Sequence, residues 1–231
     1  MCRSWPRGCN DVGNRSMTKT SKGSVSVTHT TFYSFNGKRP QVAKSAFIHP
    51  DATIIGDVTI GRNVFIGAGA VLRGDWGTIR IGDGCNVQEN CVLHTFPNAR
   101  VILKKNAHIG HATVIHGGII GKNALIGMNC VIMDDCVIGD NSIIGALTFV
   151  PSEMRIPSGK VAVGNPARVV KDVSKEMLRW KKQGTKLYQT LPKMCKESLV
   201  PCEPSTKSLK RPKGSMTNSY KTWKKTARSK R

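Results

Sequence analysis

The sequence predicts an all-β chain folded as a left-handed parallel β-helix, followed by one C-terminal α-helix. Three observations carry the prediction. An aliphatic residue recurs every six positions, a small residue stands two places before most of them, and glycine commonly follows.

The step of six runs from Ile48 through Ile54, Ile60 and Ile66 to Leu72. After an interruption it resumes at Ile81, Val87 and Leu93, then at Ile109 and Ile115, and finally from Ile120 through Ile126, Ile132, Ile138, Ile144 and Val150 to Ile156. Ile115 and Ile120 are only five apart, so one register slip falls just after His116. The small slots hold Ala52, Val58, Val64, Ala70, Cys85, Cys91, Ala107, Thr113, Ala124, Cys130, Cys136, Ser142 and Thr148. Small and aliphatic residues alternating with one residue between them mark a short strand with both side chains inward. Three such strands joined by bends close one triangular coil, and stacked coils satisfy one another's backbone groups. An amphipathic helix would need apolar spacings of three and four, which this region lacks.

The elements follow in order. Residues 1–40 read as a basic extension with an entry strand, 41–170 as the β-helix, 171–200 as a helix, and 201–231 as a basic disordered tail. Gly and Pro in VAVGNPAR end the coil near Val161–Arg168, and Ser174 is the expected N-cap of a helix with Met177 and Trp180 on one face. The first two dozen residues are basic and rich in Ser and Thr, a weak likeness to a transit peptide, and Met17 is an alternative start.

The formal charge of +22 over 231 residues is uneven. Residues 41–170 hold eleven Lys/Arg against nine acids, whereas residues 171–231 hold eighteen against four. Such a tail reads as a solvated end, so nucleic acid is not expected as a partner. No stretch is apolar enough to span a membrane, and a cytoplasmic protein is expected. Aromatics make up only 6% of the chain, which suits a core of layered aliphatic side chains. Four of the eight cysteines fall in inward slots, where a thiol is a compact hydrophobe, and no CxxC pair suggests a disulfide or a cysteine–metal site.

Chemistry is expected where the glycine rule fails. Glycine follows the aliphatic at Gly61, Gly67, Gly82, Gly110, Gly121, Gly127, Gly139 and Gly145, which the positive φ and close approach of a bend favour. Arg73, Gln88, His94 and His116 occupy the same position instead. With His111, two of these make a histidine trio suited to zinc or a similar ion with one coordination position open. His94 and His111 are seventeen residues apart, close to one coil, so they are expected to stack, with His116 around a corner. A trimer would bring all three together across its interfaces. His29, His49 and His108 read as solvated or simply hydrogen-bonded.

RGD at Arg73–Asp75, NVQEN at Asn86–Asn90, VLH ending at His94 and GHATVIHG at Gly110–Gly117 together resemble the γ-class carbonic anhydrase family over about residues 40–190. The resemblance implies a homotrimer with Zn2+ (or Fe2+) at each interface, held by His94 and His116 of one subunit and His111 of the next. It implies an intersubunit salt bridge for Arg73 and Asp75, a water-orienting role for Gln88, and a supporting role for Asn86. Glu89 stands where the family often has an aspartate bonded to the arginine. HTFPNA, IGMNCVIMD and WKKQGTKLYQ, the last containing Tyr188 as a further candidate catalytic residue, are similar to the PaaY-type phenylacetate-degradation subgroup and the related carnitine operon protein CaiE. The implied activity is attack by a metal-bound hydroxide on a CoA thioester or on CO2. Trp76 and Thr95–Phe96–Pro97 replace the acidic loops that export protons in fast anhydrases, which favours the slower hydrolysis. Lys181, Lys182 and Lys186 are candidate cations for the phosphates of acyl-CoA. A CoA-dependent acyltransferase using a lone histidine, or a non-catalytic assembly subunit, is the alternative.

Overall fold

A computed structural model describes residues 31–206, 221–223 and 226. Short parallel strands stack into a left-handed β-solenoid of about 7 turns, followed by a single helix. The hexapeptide step dictates three columns of inward aliphatics. Ile54, Leu72, Leu93, Ile115, Ile132 and Val150 pair in register up the first face. Ile60, Ile81, Leu103, Ile120, Ile138 and Ile156 pair up the second. Ile48, Ile66, Val87, Ile109, Ile126 and Ile144 form the third. Nearly all are fully buried, together with the small residues two places before them. Each buried aliphatic side chain contributes about 1.5–3 kcal/mol, and backbone N–H groups donate from one coil to the next, as from Gly127 to Ile144 at 2.9 Å.

The corner glycines serve a different purpose from one half of the sequence argument. A Cβ on Gly139 would lie 2.3 Å from the backbone nitrogen of Ser158, and one on Gly127 2.4 Å from that of Ala146. Close approach of stacked coils is therefore what excludes a side chain there. Positive φ falls two residues later, at Asn63, Asn123, Asn129 and Asn141 among others, with values of 52–60°. Asparagine tolerates that left-handed geometry better than most residues.

The coils are not of equal length. An ordinary turn separates stacked residues such as Asn123 and Asn141 by 18 positions, but 21 separate Arg73 from His94 and 22 separate His94 from His116. The surplus forms the long strand Val71–Ile81 and the loop around Phe96–Asn98. The expected slip after His116 is taken up at Gly118, whose φ is +99° and which pairs with Val101.

Helix α1 runs from Lys175 to Ser198, with the Ser174 hydroxyl accepting from the Met177 N–H at 3.2 Å. It lies over the third face, against strands Phe47–Ile48, Phe65–Ile66 and Asn86–Val87. No helix among the described residues is long and apolar enough to cross a membrane. Most of the expected basic, disordered tail lies outside the described residues. Trp223 packs against Ile143, Val161 and Met177, its ring 6.1 Å from Trp180, whose indole N–H donates to the Lys221 carbonyl at 2.9 Å. The buried apolar cluster at the helix start thus includes a residue from the C-terminal part of the chain.

Candidate functional site

The two long turns bring Arg73, Asp75, His94 and His116 together at one corner of the prism. Leu72, Leu93 and Ile115 are in register, so the residues that follow them stack as Arg73, His94 and His116. His94 and His116 therefore stack, and the expected stacking of His94 on His111 is corrected. The coil between His94 and His116 is four residues longer than the ordinary 18, so a step of seventeen falls short by one prism side. His111 stands on the preceding corner, where its Nδ1 lies 2.6 Å from Glu89 Oε2. Glu89 thus engages His111, not Arg73, whose Nε lies 3.3 Å from Asp75 Oδ2 of its own chain.

Asp134 Oδ1 lies 2.9 Å from His116 Nδ1. A carboxylate there accepts a hydrogen bond from the Nδ1–H, leaving the lone pair on Nε2. That Nε2 faces His94 Nδ1 across 3.3 Å. His94 Nε2 lies 3.1 Å from Asp75 Oδ1 and 2.9 Å from Arg73 Nη2. If His94 donates to Asp75, two imidazole lone pairs converge on one point. If it accepts from Arg73, His94 Nδ1–H donates to His116. Both arrangements keep His116 Nε2 unprotonated, and only the first leaves its lone pair free and makes a cradle for an electrophile. Burial, then the Arg73 charge, push the His94 pKa below its ordinary value. Trp76 lies 5.5 Å from the His94 ring and Phe96 4.9 Å from the His116 ring, both about half exposed. Each imidazole of the pair thus has one half-exposed aromatic ring beside it.

The other candidates gather elsewhere. Asn86 and Gln88 are buried, and Gln88 Nε2 donates to Asn86 Oδ1 at 3.1 Å and lies 2.7 Å from His108 Nε2. The expected water-orienting Gln88 is therefore engaged by His108 in this chain. Tyr188, on α1, stands edge-on over His108 at 5.0 Å and near Phe65, not over the histidine pair. His108, read from the sequence as unremarkable, centres this network, and burial pushes its pKa down to about 3. Lys181 also departs from expectation. Only 3% exposed, it donates to the Asn106 carbonyl and Asn123 Oδ1, each at 2.7 Å, and cannot meet a phosphate on the flank. Burial holds its pKa down to about 7. Asp134 was missed by the sequence reading, although it lies 18 residues, one ordinary turn, after His116.

Among the described residues no three His, Cys, Asp or Glu side chains group as a metal site. The chain supplies two imidazoles whose nitrogens face each other, and His111 is turned to another corner. The four inward cysteines add no ligand: burial raises their pKa values, Cys85 to about 12 and Cys91 to about 11.

A solenoid of six-residue strand-and-bend units with polar side chains at chosen corners defines the class of hexapeptide-repeat β-helix proteins. The profile of the bacterial transferase hexapeptide family (six repeats) matches residues 39–74 and 117–152. Carnitine operon protein CaiE of Escherichia coli (strain SMS-3-5 / SECEC) is 44% identical over 174 residues, 75% of this chain and 89% of that protein. A hexapeptide transferase family protein from Anaplasma phagocytophilum superposes with a TM-score of 0.69 at 33% identity, covering 71% of this chain and 97% of that one. A Bacillus cereus protein described as an acetyltransferase gives 0.71 at 36% identity, covering 72% and 96%. The chain belongs to the bacterial transferase hexapeptide family.

Proposed function

We propose that this chain transfers the acyl group of a CoA thioester, with the His94–His116 pair as its base. The observation that carries the reading is His116, whose Nδ1 meets Asp134 at 2.9 Å, set with His94 beside the half-exposed Phe96 and Trp76. His116 takes the proton of an acceptor hydroxyl or amine, and the freed oxygen or nitrogen bonds to the thioester carbonyl. The C–S bond breaks, and the CoA thiolate recovers the proton from His116. Arg73 stands beside the pair to offset negative charge developing on the carbonyl oxygen. The transferase family and the likeness to a protein described as an acetyltransferase support this reading over the carbonic anhydrase and hydrolase chemistry expected from the sequence motifs.

Two observations favour a second reading, a metal-dependent thioesterase or carbonic anhydrase. Zinc–nitrogen bonds of ~2.0–2.1 Å in a tetrahedral site put ligand nitrogens ~3.3 Å apart, and His94 Nδ1 and His116 Nε2 are 3.3 Å apart. Their outer nitrogens meet carboxylates, as metal-bound imidazoles commonly do. His94 and His116 would hold Zn2+ or Fe2+ with His111 of a second copy, so this reading and a homotrimer stand together. When bound, the ion supplies Lewis acidity that brings the pKa of water to ~7.

Release of free CoA from acetyl-CoA separates the readings. Under the first, release needs an added hydroxyl or amine acceptor and survives a chelator. Release that needs no acceptor and stops on chelation would replace it with the second.

A further inference from the structure

The charge of this chain lies where the proposed chemistry does not. Along helix α1, Lys175, Arg179, Lys182, Lys186 and Lys193 follow at intervals of four, three, four and seven residues, and all are exposed. Those intervals align them on one line of a helix, and the rise of about 1.5 Å per residue makes the stripe about 27 Å long. Glu176 and Glu197 touch it at Arg179 and Lys193, at 2.9 and 3.8 Å. The opposite side of the helix is buried through Met177, Gly184, Thr185 and Pro192, so the stripe belongs to a fixed surface.

A further cation, Lys221, is tied to the same helix through its backbone. After Glu203 the sequence has ten Lys/Arg and no acid. Trp223, in the midst of them, is seated on Met177, Ile143 and Val161 and against Trp180, and the Lys221 backbone is bonded to the Trp180 indole.

We infer that the outer face of α1, with Lys221 held beside it through Trp180 and Trp223, binds the phosphate backbone of nucleic acid. A stripe about 27 Å long exceeds the phosphates of one CoA molecule, whereas duplex DNA presents a charge every ~1.7 Å along its axis. A membrane-surface helix would set large apolar side chains beside its cations, but the apolar side of α1 is spent on the prism. Nucleic acid was set aside on the sequence because a basic tail reads as a solvated end. A cationic row fixed on a packed helix changes that reading. The contact is to phosphate, so binding is largely independent of sequence.

The test titrates the full-length chain onto a labelled mixed-sequence duplex of roughly 30 base pairs and follows anisotropy at about 50 and about 200 mM KCl. With six or more phosphate contacts, affinity falls roughly 10³-fold across that range. A Lys175→Glu/Lys182→Glu/Lys186→Glu protein binds at least tenfold more weakly, the matching Lys→Gln protein less severely so, and Trp223→Ala also weakens binding. Each variant is checked for an unchanged thermal transition. Wild-type affinity in both the Glu and Gln triple variants would overturn the proposal. So would salt-insensitive binding, or retention by phosphatidylserine vesicles with none by DNA.

Discussion

His94 Nδ1 and His116 Nε2 face each other across 3.3 Å, although 22 residues of chain separate them. The long coil between them makes this possible, and the outer nitrogen of each imidazole meets its own aspartate, Asp75 or Asp134.

If His116 is the base, His116→Ala lowers kcat for acyl transfer by ~10²–10⁴-fold, the usual worth of a positioned general base. Asp134→Asn keeps the shape but no longer fixes the tautomer, so kcat falls by a smaller factor, about tenfold or more. Both proteins melt near the wild-type temperature, since the pair lies at a corner outside the aliphatic core. Wild-type kcat in His116→Ala would remove the histidine pair from the chemistry.

Subunit mixing tests the metal and the trimer together. Under the second reading, His94→Ala and His111→Ala proteins are each inactive and poor in metal, because each loses one ligand of every site. Mixed and exchanged, they regain activity and bound metal, measured by elemental mass spectrometry after anaerobic preparation. Under the first reading His111→Ala is active alone, because His111 pairs with Glu89 on another corner.

Lys181 gives the fold a pH dependence. Its pKa is about 7 in the folded chain against 10.5 as the ordinary value, mainly through burial. Between those values the unfolded chain binds the extra proton, so folding stability rises with pH from about 7 to about 10.5. At pH 7 and below the cost is fully present. The two oxygens at 2.7 Å stabilise the ammonium and oppose burial, so the total change is at most a few kcal/mol. Urea unfolding across this range reads the slope, which Lys181→Met flattens.

The corner glycines make a mechanical prediction. Gly139→Ala places a methyl 2.3 Å from backbone, with no flexible side chain to give way, and destabilises by about 1–3 kcal/mol. Gly159→Ala, which meets open space at φ +69°, costs about 1–2 kcal/mol through backbone conformation alone. Thermal melts of the two proteins separate steric exclusion from conformational preference. A Gly139→Ala protein as stable as wild type would refute the close-approach account.

The six-residue step determined the solenoid, because an inward aliphatic from each short strand, repeated, has one way to stay dry. The same pattern placed Cys85, Cys91, Cys130 and Cys136 in the core, and Ser174 announced its helix. The unusual corners Arg73, Gln88, His94 and His116 were also legible as breaks in the glycine rule, but their grouping was not legible from spacing, although the family resemblance implied His94 and His116 together. Grouping depends on coil length, and the surplus residues around Trp76 and Phe96 shift every later stacking partner. Only the folded chain therefore put His94 on His116, His111 beside Glu89, and Gln88 on His108. Tertiary packing alone also buried Lys181 and seated Trp223, because whether a helix side faces solvent or prism depends on which face of the solenoid lies beneath it.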